Sequence, residues 1–152
     1  EHVRNILAFN SRMLQVGGLF IFTVMDGQSV FDLLKPVPVG GTWEIREGEV
    51  LKYVIKRKYT ADKLLNCGQL IEVSMPFSNH LYEEPLCNVD YIVSVAEKFG
   101  FKLELNAGMN SFMDTFAKAD KALYDSLTEG DNQYIGLFKY VSLRKVGQGK
   151  GH

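Results

Sequence analysis

A continuous run of apolar, aromatic and β-branched side chains at residues 19–24 is the feature that most constrains the fold of this 152-residue chain. Such a run is typical of a parallel strand that is buried on both faces. An apolar stripe at helical spacing precedes it, and Gly17-Gly18 separates the two, because glycine tolerates the left-handed turn that ends a helix. The sequence therefore predicts a helix packed beside a buried strand.

The rest of the chain alternates between helical and strand periods in its apolar side chains. Helices are predicted over 29–34, 89–99 and, in one long element starting at Asn110 or Ser111, up to Gly130. A turn or short helix is expected over 61–66. Strands are predicted over 42–47, 49–59, 69–75, 101–105 and 134–143.

This alternation predicts an α/β fold, with an antiparallel β insertion in the middle of the chain. Such folds bind ligands outside the carboxyl ends of their strands, so we expect residues 23–26 to form the rim of a pocket. No G-x-G-x-x-G turn follows the first strand, and we therefore interpret residues 1–146 as the second half of a single nucleotide-binding domain. The glycine-rich residues 147–152 are expected to be a flexible tail.

Composition excludes several classes of function. The formal net charge of −1 argues against broad electrostatic attraction to nucleic acid, so any contact with RNA must come from a local patch. No apolar run approaches the roughly 20 residues that cross a bilayer, and we expect no membrane contact. Cys67 and Cys87 are too few for a disulfide framework and lack metal-ligand spacing, which favours an intracellular protein without a metal site.

An acidic pair, Glu83 and Glu84, lies on a predicted connector between a strand and a helix. Acidic pairs on loops are usually solvated. An ionised carboxylate can, however, accept paired hydrogen bonds from a planar donor edge, such as an arginine fork or the N1–H and N2–H₂ groups of guanine. Guanine is the only common base with that donor pair, so the connector is a candidate guanine-binding site.

Four segments in order resemble the mRNA cap guanine-N7 methyltransferases, and most of all the capping enzymes of large DNA viruses of the African swine fever virus type. The resemblance covers residues 3–146. Each segment is weakly specific, whereas their order and spacing together are fairly specific. The segments are Gly17-Gly18-Leu19-Phe20-Ile21-Phe22-Thr23, Asn66-Cys67-Gly68-Gln69-Leu70, Glu84-Pro85-Leu86 and Ala96-Glu97-Lys98-Phe99-Gly100-Phe101.

The resemblance implies the carboxyl-terminal half of a class I, Rossmann-like methyltransferase domain that transfers a methyl group from S-adenosylmethionine to the guanine N7 of a 5′ GpppN cap. The cofactor-binding segment of the family is expected upstream of Glu1, so the chain alone is expected not to bind the cofactor. The implied partners are 5′-capped RNA and the missing amino-terminal half, or the remaining capping-enzyme domains. The implied location is the host cytoplasm, in viral factories, or the virion.

The resemblance also implies roles for individual residues. Glu84, in preference to Glu83, matches the glutamate that grips the guanine edge, and Met25 replaces a proline of the family. Phe138 or Tyr140 matches a tyrosine that faces the cap, and the sequence leaves both open. No catalytic acid or base is implied, because N7 carries an available lone pair and correct positioning can suffice.

Two alternatives remain open at this level. Lys52, Lys56, Arg57 and Lys58 lie on an alternating strand, where basic residues either contact cap phosphates or form a solvated face, the more common case. The whole chain is alternatively a non-catalytic α/β interaction or RNA-binding module, because a fold does not fix a function.

Overall fold

Two antiparallel sheets and their connecting helices make up the described residues, 1–74, 78 and 80–149, of a computed structural model. The helices are α1 His2–Met13, α2 Gly27–Leu34, α3 Val89–Lys98, α4 Met113–Ala119, α5 Lys121–Asp125 and α6 Glu129–Ile135, with a 3₁₀ turn at Met109–Phe112. The strands are β1 Leu19–Met25, β2 Thr42–Glu47, β3 Val50–Arg57, β4 Leu70–Ser74, β5 Leu81–Pro85, β6 Phe101–Gly108 and β7 Phe138–Lys145.

The first sheet has the strand order β1-β7-β6. Because β7 is antiparallel to both neighbours, β1 and β6 run in the same direction. Alternate side chains of β1 pack into an apolar core that includes residues of α1 and α3. The β1 side chains that do so are Phe20, Phe22 and Val24, and the buried centre of this core includes Leu7, Val95, Ala96 and Val141.

The second sheet has the order β2-β3-β4-β5 and is the predicted antiparallel insertion. A two-residue turn joins β2 to β3, and Gly48 there has φ of 60°, a conformation that glycine adopts without steric cost. The buried side chains of this second sheet pack with those of α2 in a second core. That core includes Val30, Phe31, Leu34, Ile55, Ile71 and Val73.

The two sheets meet where β1 and β5 end. Asp26 forms a parallel bridge with Cys87, and the amide of Gly27 donates to the carbonyl of Cys87 at 2.9 Å. A Cβ atom on Gly27 would lie 2.6 Å from that carbonyl oxygen, so this position requires glycine. Asp26 caps α2 and Asn88 caps α3, each by accepting from a backbone amide in the first turn. Two helices therefore start side by side at this junction.

The predicted α/β class and its antiparallel insertion are confirmed. The predicted environment of the first strand is wrong. β1 is an antiparallel edge strand, and Leu19 and Ile21 on its second face are 40% and 46% exposed. The sequence of residues 19–24 predicts burial on both faces, but among the described residues one face and one edge of the strand are exposed.

Three other predictions of secondary structure are wrong. The connector that carries the acidic pair is a strand, β5, and Tyr134 belongs to α6 rather than to the closing strand. The long helix up to Gly130 is broken, because Asp120 caps a new helix through Leu123 and Thr128 caps the next one. Neither α4 nor α5 contains a fully buried residue.

Parts of some predictions lie outside the described residues. The strand predicted over 69–75 is observed as β4, and residue 75 is not described. Residues 150–152 of the expected tail are likewise not described, and the tail stays a prediction. Residues 61–66 form neither a helix nor a strand. None of the described helices is long and apolar enough to span a bilayer.

Tyr59 provides a test of the second core. Its ring stacks on Phe31 at 5.4 Å between centroids, and its hydroxyl is buried without a hydrogen-bond partner among the described residues. Removing an unsatisfied buried hydroxyl relieves a desolvation cost, so we expect Tyr59→Phe to raise the free energy of unfolding by about 0–1 kcal/mol. Urea unfolding of the two proteins measures the change. A clear loss of stability would show that the hydroxyl has a partner.

Candidate functional site

The strand β5 separates the two glutamates onto opposite faces of the second sheet. Glu83 lies opposite Glu72 of β4, whereas Glu84 lies opposite Ile71, a buried residue of the second core. Directly opposed residues of an antiparallel pair share a face, so Glu84 points to the side of the core. Glu83 points the other way, and its carboxylate is 2.5 Å from Lys58 Nζ. Only Glu84 is therefore placed beside the interior.

Glu84 is half-buried, and its carboxylate has no hydrogen-bond or ion-pair partner among the described residues. Burial, and secondly the negative charge of Glu84, raise the pKa of Tyr134 above its ordinary value. The same two causes, in the same order, raise the pKa of the Cys87 thiol. Glu84 therefore lies within electrostatic reach of both groups, and its acceptor oxygens are not used within the described fold.

The aromatic residues of β7 lie on the side of the sheet that carries Thr23 and Met25. Phe138 is opposite Met25, and Tyr140 is opposite Thr23. Phe138 and Thr23 line a cavity of about 170 Å³ together with Tyr134 and two further apolar residues, Met109 and Ile135. The ring of Tyr140 instead contacts Phe112, at 5.6 Å between centroids. Of the two candidates on this strand, the structure brings Phe138 to the cavity.

Tyr134 is a residue of this cavity that the sequence pattern did not identify. Its ring stacks on Tyr53 at 4.1 Å with an interplanar angle of 10°, and its edge meets Phe138 at 5.4 Å and 67°. The sequence predicts a strand over 134–143, and this prediction places Tyr134 in the wrong element. A local signal was available, because Thr128 and Asp131 form a capping box that starts a helix just before this tyrosine.

Met25 also lies at this site. It packs against the second core, as Phe138 does, and the two are cross-strand neighbours. The second core is thus adjoined by residues from four separate elements, namely Glu84, Met25, Phe138 and Tyr134. Tyr140 lies two residues beyond Phe138 on β7. Their roles toward a ligand stay predictions.

The basic residues of β3 and its end are all engaged within the fold. Arg57 donates to the carbonyl oxygen of Val37 at 2.9 Å and to other backbone oxygens nearby. The three lysines form ion pairs with carboxylates of neighbouring elements, which favours a structural role over phosphate contact. The pairs are Lys52 with Glu47 and Asp131, Lys56 with Glu72, and Lys58 with Glu72 and Glu83.

A larger, polar cavity of about 430 Å³ opens at the carboxyl end of β1, where a pocket rim is predicted. Asp26 and Lys139 line it, and they pair with each other at 3.6 Å. Lys139 alternates with Phe138 and Tyr140 along β7, so this cavity belongs to the opposite face of the sheet. We place the candidate site at the smaller cavity, because the rings of Phe138 and Tyr134 line it and Glu84 lies within electrostatic reach of Tyr134.

Comparison with known proteins finds sequence relatives of this chain among mRNA-capping enzymes. Over 148 residues, 95% of the chain, it is 36% identical to the mRNA-capping enzyme of African swine fever virus strain Badajoz 1971 Vero-adapted. The chain is a sequence relative of one segment of this viral mRNA-capping enzyme. The identity and coverage are the same for the mRNA-capping enzyme of isolate Tick/South Africa/Pretoriuskop Pr4/1996. The chain spans 17% of the length of these capping enzymes.

The resemblance to viral capping enzymes that the four segments predict is thereby confirmed at the level of sequence. No protein-family model matches the chain. Among solved structures, an S-adenosylmethionine-dependent methyltransferase from Clostridium acetobutylicum ATCC 824 matches with a TM-score of 0.46 and 12% identity. The match covers 95% of this chain and 51% of that methyltransferase.

Proposed function

We propose that this chain is part of an mRNA cap guanine-N7 methyltransferase, which transfers a methyl group from S-adenosylmethionine to N7 of the guanine in a 5′ GpppN cap. The observation that carries the proposal is the half-buried residue Glu84, whose carboxylate has no partner among the described residues and lies within electrostatic reach of Tyr134, which lines an aromatic cavity. Sequence similarity to viral mRNA-capping enzymes supports the capping context.

The proposed contacts follow from the chemistry of guanine. Glu84 accepts hydrogen bonds from N1–H and N2–H₂, which fixes the base and favours the positive charge that develops on the ring. Phe138 contacts the face or edge of the base, and the thioether of Met25 supplies an adaptable apolar contact. N7 needs no general base, so catalysis consists of positioning. Such a paired contact discriminates against another base by roughly 1–3 kcal/mol.

S-adenosylmethionine supplies the transferred methyl group from its sulfonium. The described residues do not fit its binding by this chain alone, because the turn after β1 lacks the glycine-rich sequence that would let backbone approach a nucleotide. We therefore assign cofactor binding to the rest of the capping polypeptide and derive no cofactor contact here.

The outer edge of β1 is where we propose that another part of this polypeptide docks. The strand contains no charged residue and no proline, and such residues are what usually protect an exposed edge. Leu19 and Ile21 on one face are exposed, and an apolar groove of about 200 Å³ runs along the other, between β1 and Ile6 of α1. An apolar strand pairing with β1 would cover both. We place the assembled enzyme in viral factories of the host cytoplasm or in the virion.

The decisive experiment compares the complete capping polypeptide with the 152-residue chain. With labelled S-adenosylmethionine and GpppN-capped RNA, the complete polypeptide is expected to yield 7-methylguanosine after nuclease digestion. ApppN-capped RNA is the control and should receive no label. The chain alone should show no saturable cofactor binding by calorimetry. Cap binding by the complete polypeptide without methyl transfer would instead favour the non-catalytic RNA-binding module.

A further inference from the structure

Asp131 is a buried carboxylate that ties α6 to the hairpin of the second sheet. It accepts hydrogen bonds from the Tyr53 hydroxyl at 2.6 Å and from the amide of Thr128 at 2.9 Å. Lys52 Nζ lies 2.8 Å from it. Burial by itself would raise the pKa of Asp131, but hydrogen bonds from Lys52, Tyr53 and Thr128 outweigh it and hold that pKa well below its ordinary value. The carboxylate therefore remains ionised and fixes the Tyr53 hydroxyl.

Tyr53 in turn fixes the ring of Tyr134. The two rings are nearly parallel at 4.1 Å, so Tyr53 covers one face of Tyr134. The edge contact with Phe138 limits the ring from a second direction. A chain of contacts thus runs from Asp131 through Tyr53 and Tyr134 to Phe138, and Tyr134 and Phe138 line the same cavity. The orientation of Tyr134 is set before any ligand arrives.

The hydroxyl of Tyr134 complements the carboxylate of Glu84. No hydrogen bond of this hydroxyl is found among the described residues, and it lies within electrostatic reach of Glu84. Burial and the charge of Glu84 raise the pKa of Tyr134, so the phenol stays protonated at neutral pH and can donate. The site therefore offers one donor, on a ring that lines the cavity, and one two-oxygen acceptor within its electrostatic reach. The Watson–Crick edge of guanine offers the opposite set, an O6 acceptor beside the N1–H and N2–H₂ donors.

We propose that Tyr134 is a specificity-determining residue that donates its phenolic hydrogen to guanine O6 while Glu84 accepts from N1–H and N2–H₂, and that Tyr53 and Asp131 are positioning residues for it. The inference rests on the proposed function and names a further contact of that site. Adenine presents the N1 acceptor and C2–H where guanine presents N1–H and N2–H₂, so Glu84 disfavours adenine, and the adenine amino group cannot accept the hydrogen that Tyr134 donates to guanine O6.

The test uses the complete capping polypeptide and two caps, GpppN and an analogue with 6-thioguanosine in place of guanosine. Sulfur at position 6 is a weaker acceptor and leaves the N1–H and N2–H₂ donors in place. For the wild type, the thio cap should show a KM about fivefold higher than GpppN, since a neutral hydrogen bond contributes roughly 0.5–1.5 kcal/mol. Tyr134→Phe should raise the KM for GpppN about fivefold and abolish the difference between the caps.

Two further variants separate a specific role from a structural one. Tyr53→Phe keeps the stacked ring but loses the bond to Asp131, so it should raise the KM for GpppN two- to threefold and leave kcat unchanged. Tyr124→Phe removes a half-buried phenol that lies against Phe116, away from the cavity, and should change neither KM nor the preference between caps. Thermal melts of all variants show whether a loss of stability accounts for any change in KM.

The outcomes are distinguishable from failure of the proposed function. A preference for GpppN over the thio cap that survives in Tyr134→Phe overturns the assignment of Tyr134, and the methyltransferase proposal stands if the wild type is active. If the complete wild-type polypeptide transfers no methyl group to GpppN, the proposed function fails, and the role of Tyr134 fails with it.

Discussion

Replacing Glu84 by glutamine in the complete polypeptide is expected to lower kcat/KM for guanine-N7 methylation about 100-fold, with the affinity for S-adenosylmethionine unchanged. Hydrogen bonds to a charged group contribute roughly 1.5–3 kcal/mol each, and glutamine also presents an amino donor to the donors of guanine. Steady-state kinetics at saturating cofactor, with capped RNA varied, measure the loss. Because Glu84 has no partner among the described residues, stability should change little.

Glu83→Gln is the matched control, since it makes the same chemical change at the next residue. Glu83 lies on the opposite sheet face and pairs with Lys58, an exposed contact that contributes roughly 0–1 kcal/mol. We expect its kcat/KM to stay within about twofold of the wild type, on that scale. Equal losses in the two variants, or unfolding of the Glu84 variant, would contradict the assignment of Glu84 to the guanine edge.

Replacing Asp131 by asparagine is expected to reduce the free energy of unfolding at neutral pH by about 3 kcal/mol. Asparagine keeps the shape but leaves Lys52 without one of its two carboxylates and weakens the bond from Tyr53. Urea unfolding of the purified proteins measures the change. Asp125→Asn is the control, because Asp125 pairs with Lys121 alone among the residues that the structure describes, at the surface, and should change stability by less than about 0.5 kcal/mol.

The loss of stability caused by Asp131→Asn should depend on pH, and it should be smaller in acid than at neutral pH. The folded protein holds the pKa of Asp131 below the value of about 4 that an aspartate has in an unfolded chain. Its contribution is therefore complete above about pH 5 and is lost as the pH falls through 4 toward the folded pKa. The difference between wild type and Asp131→Asn should shrink in acid. A difference that stays constant from pH 7 to pH 3 would mean that the charge of Asp131 is not what stabilises the fold.

The sequence predicted those elements whose signals are local. The hairpin of β2 and β3 and the helix α3 were predicted with nearly correct bounds, because a Gly turn, an Asn cap and a clear apolar period mark them. The strand β5 was missed, since Glu83, Glu84 and Pro85 have low strand propensity and its stability comes from pairing with β4. The apolar spacing across helices α4 to α6 predicts one continuous helix, but the caps at Asp120 and Thr128 divide it.

The same contrast between local signals and contacts distant in sequence holds for the residues of the candidate site. The family resemblance favours Glu84 over Glu83, and the strand register supplies the physical reason, because it places the two glutamates on opposite faces of the sheet. Phe138 and Tyr140 share a face of β7, and their distinction depends on contacts from α6 and the 3₁₀ turn, which are distant in sequence. Tyr134 joins the site only because α6 is a helix.

The pairing of β1 with β7 has a consequence for synthesis of the protein. Leu19 lies opposite Arg144, so the first of the described strands takes its sheet partner from the last of them. At translation rates of about 5–20 residues per second, β1 would wait on the order of ten seconds for β7 to be made. A strand made before it could occupy its outer edge throughout that interval. The edge that we propose for docking would then also be the template on which the nascent chain begins to fold, and it would be protected from association with other nascent chains.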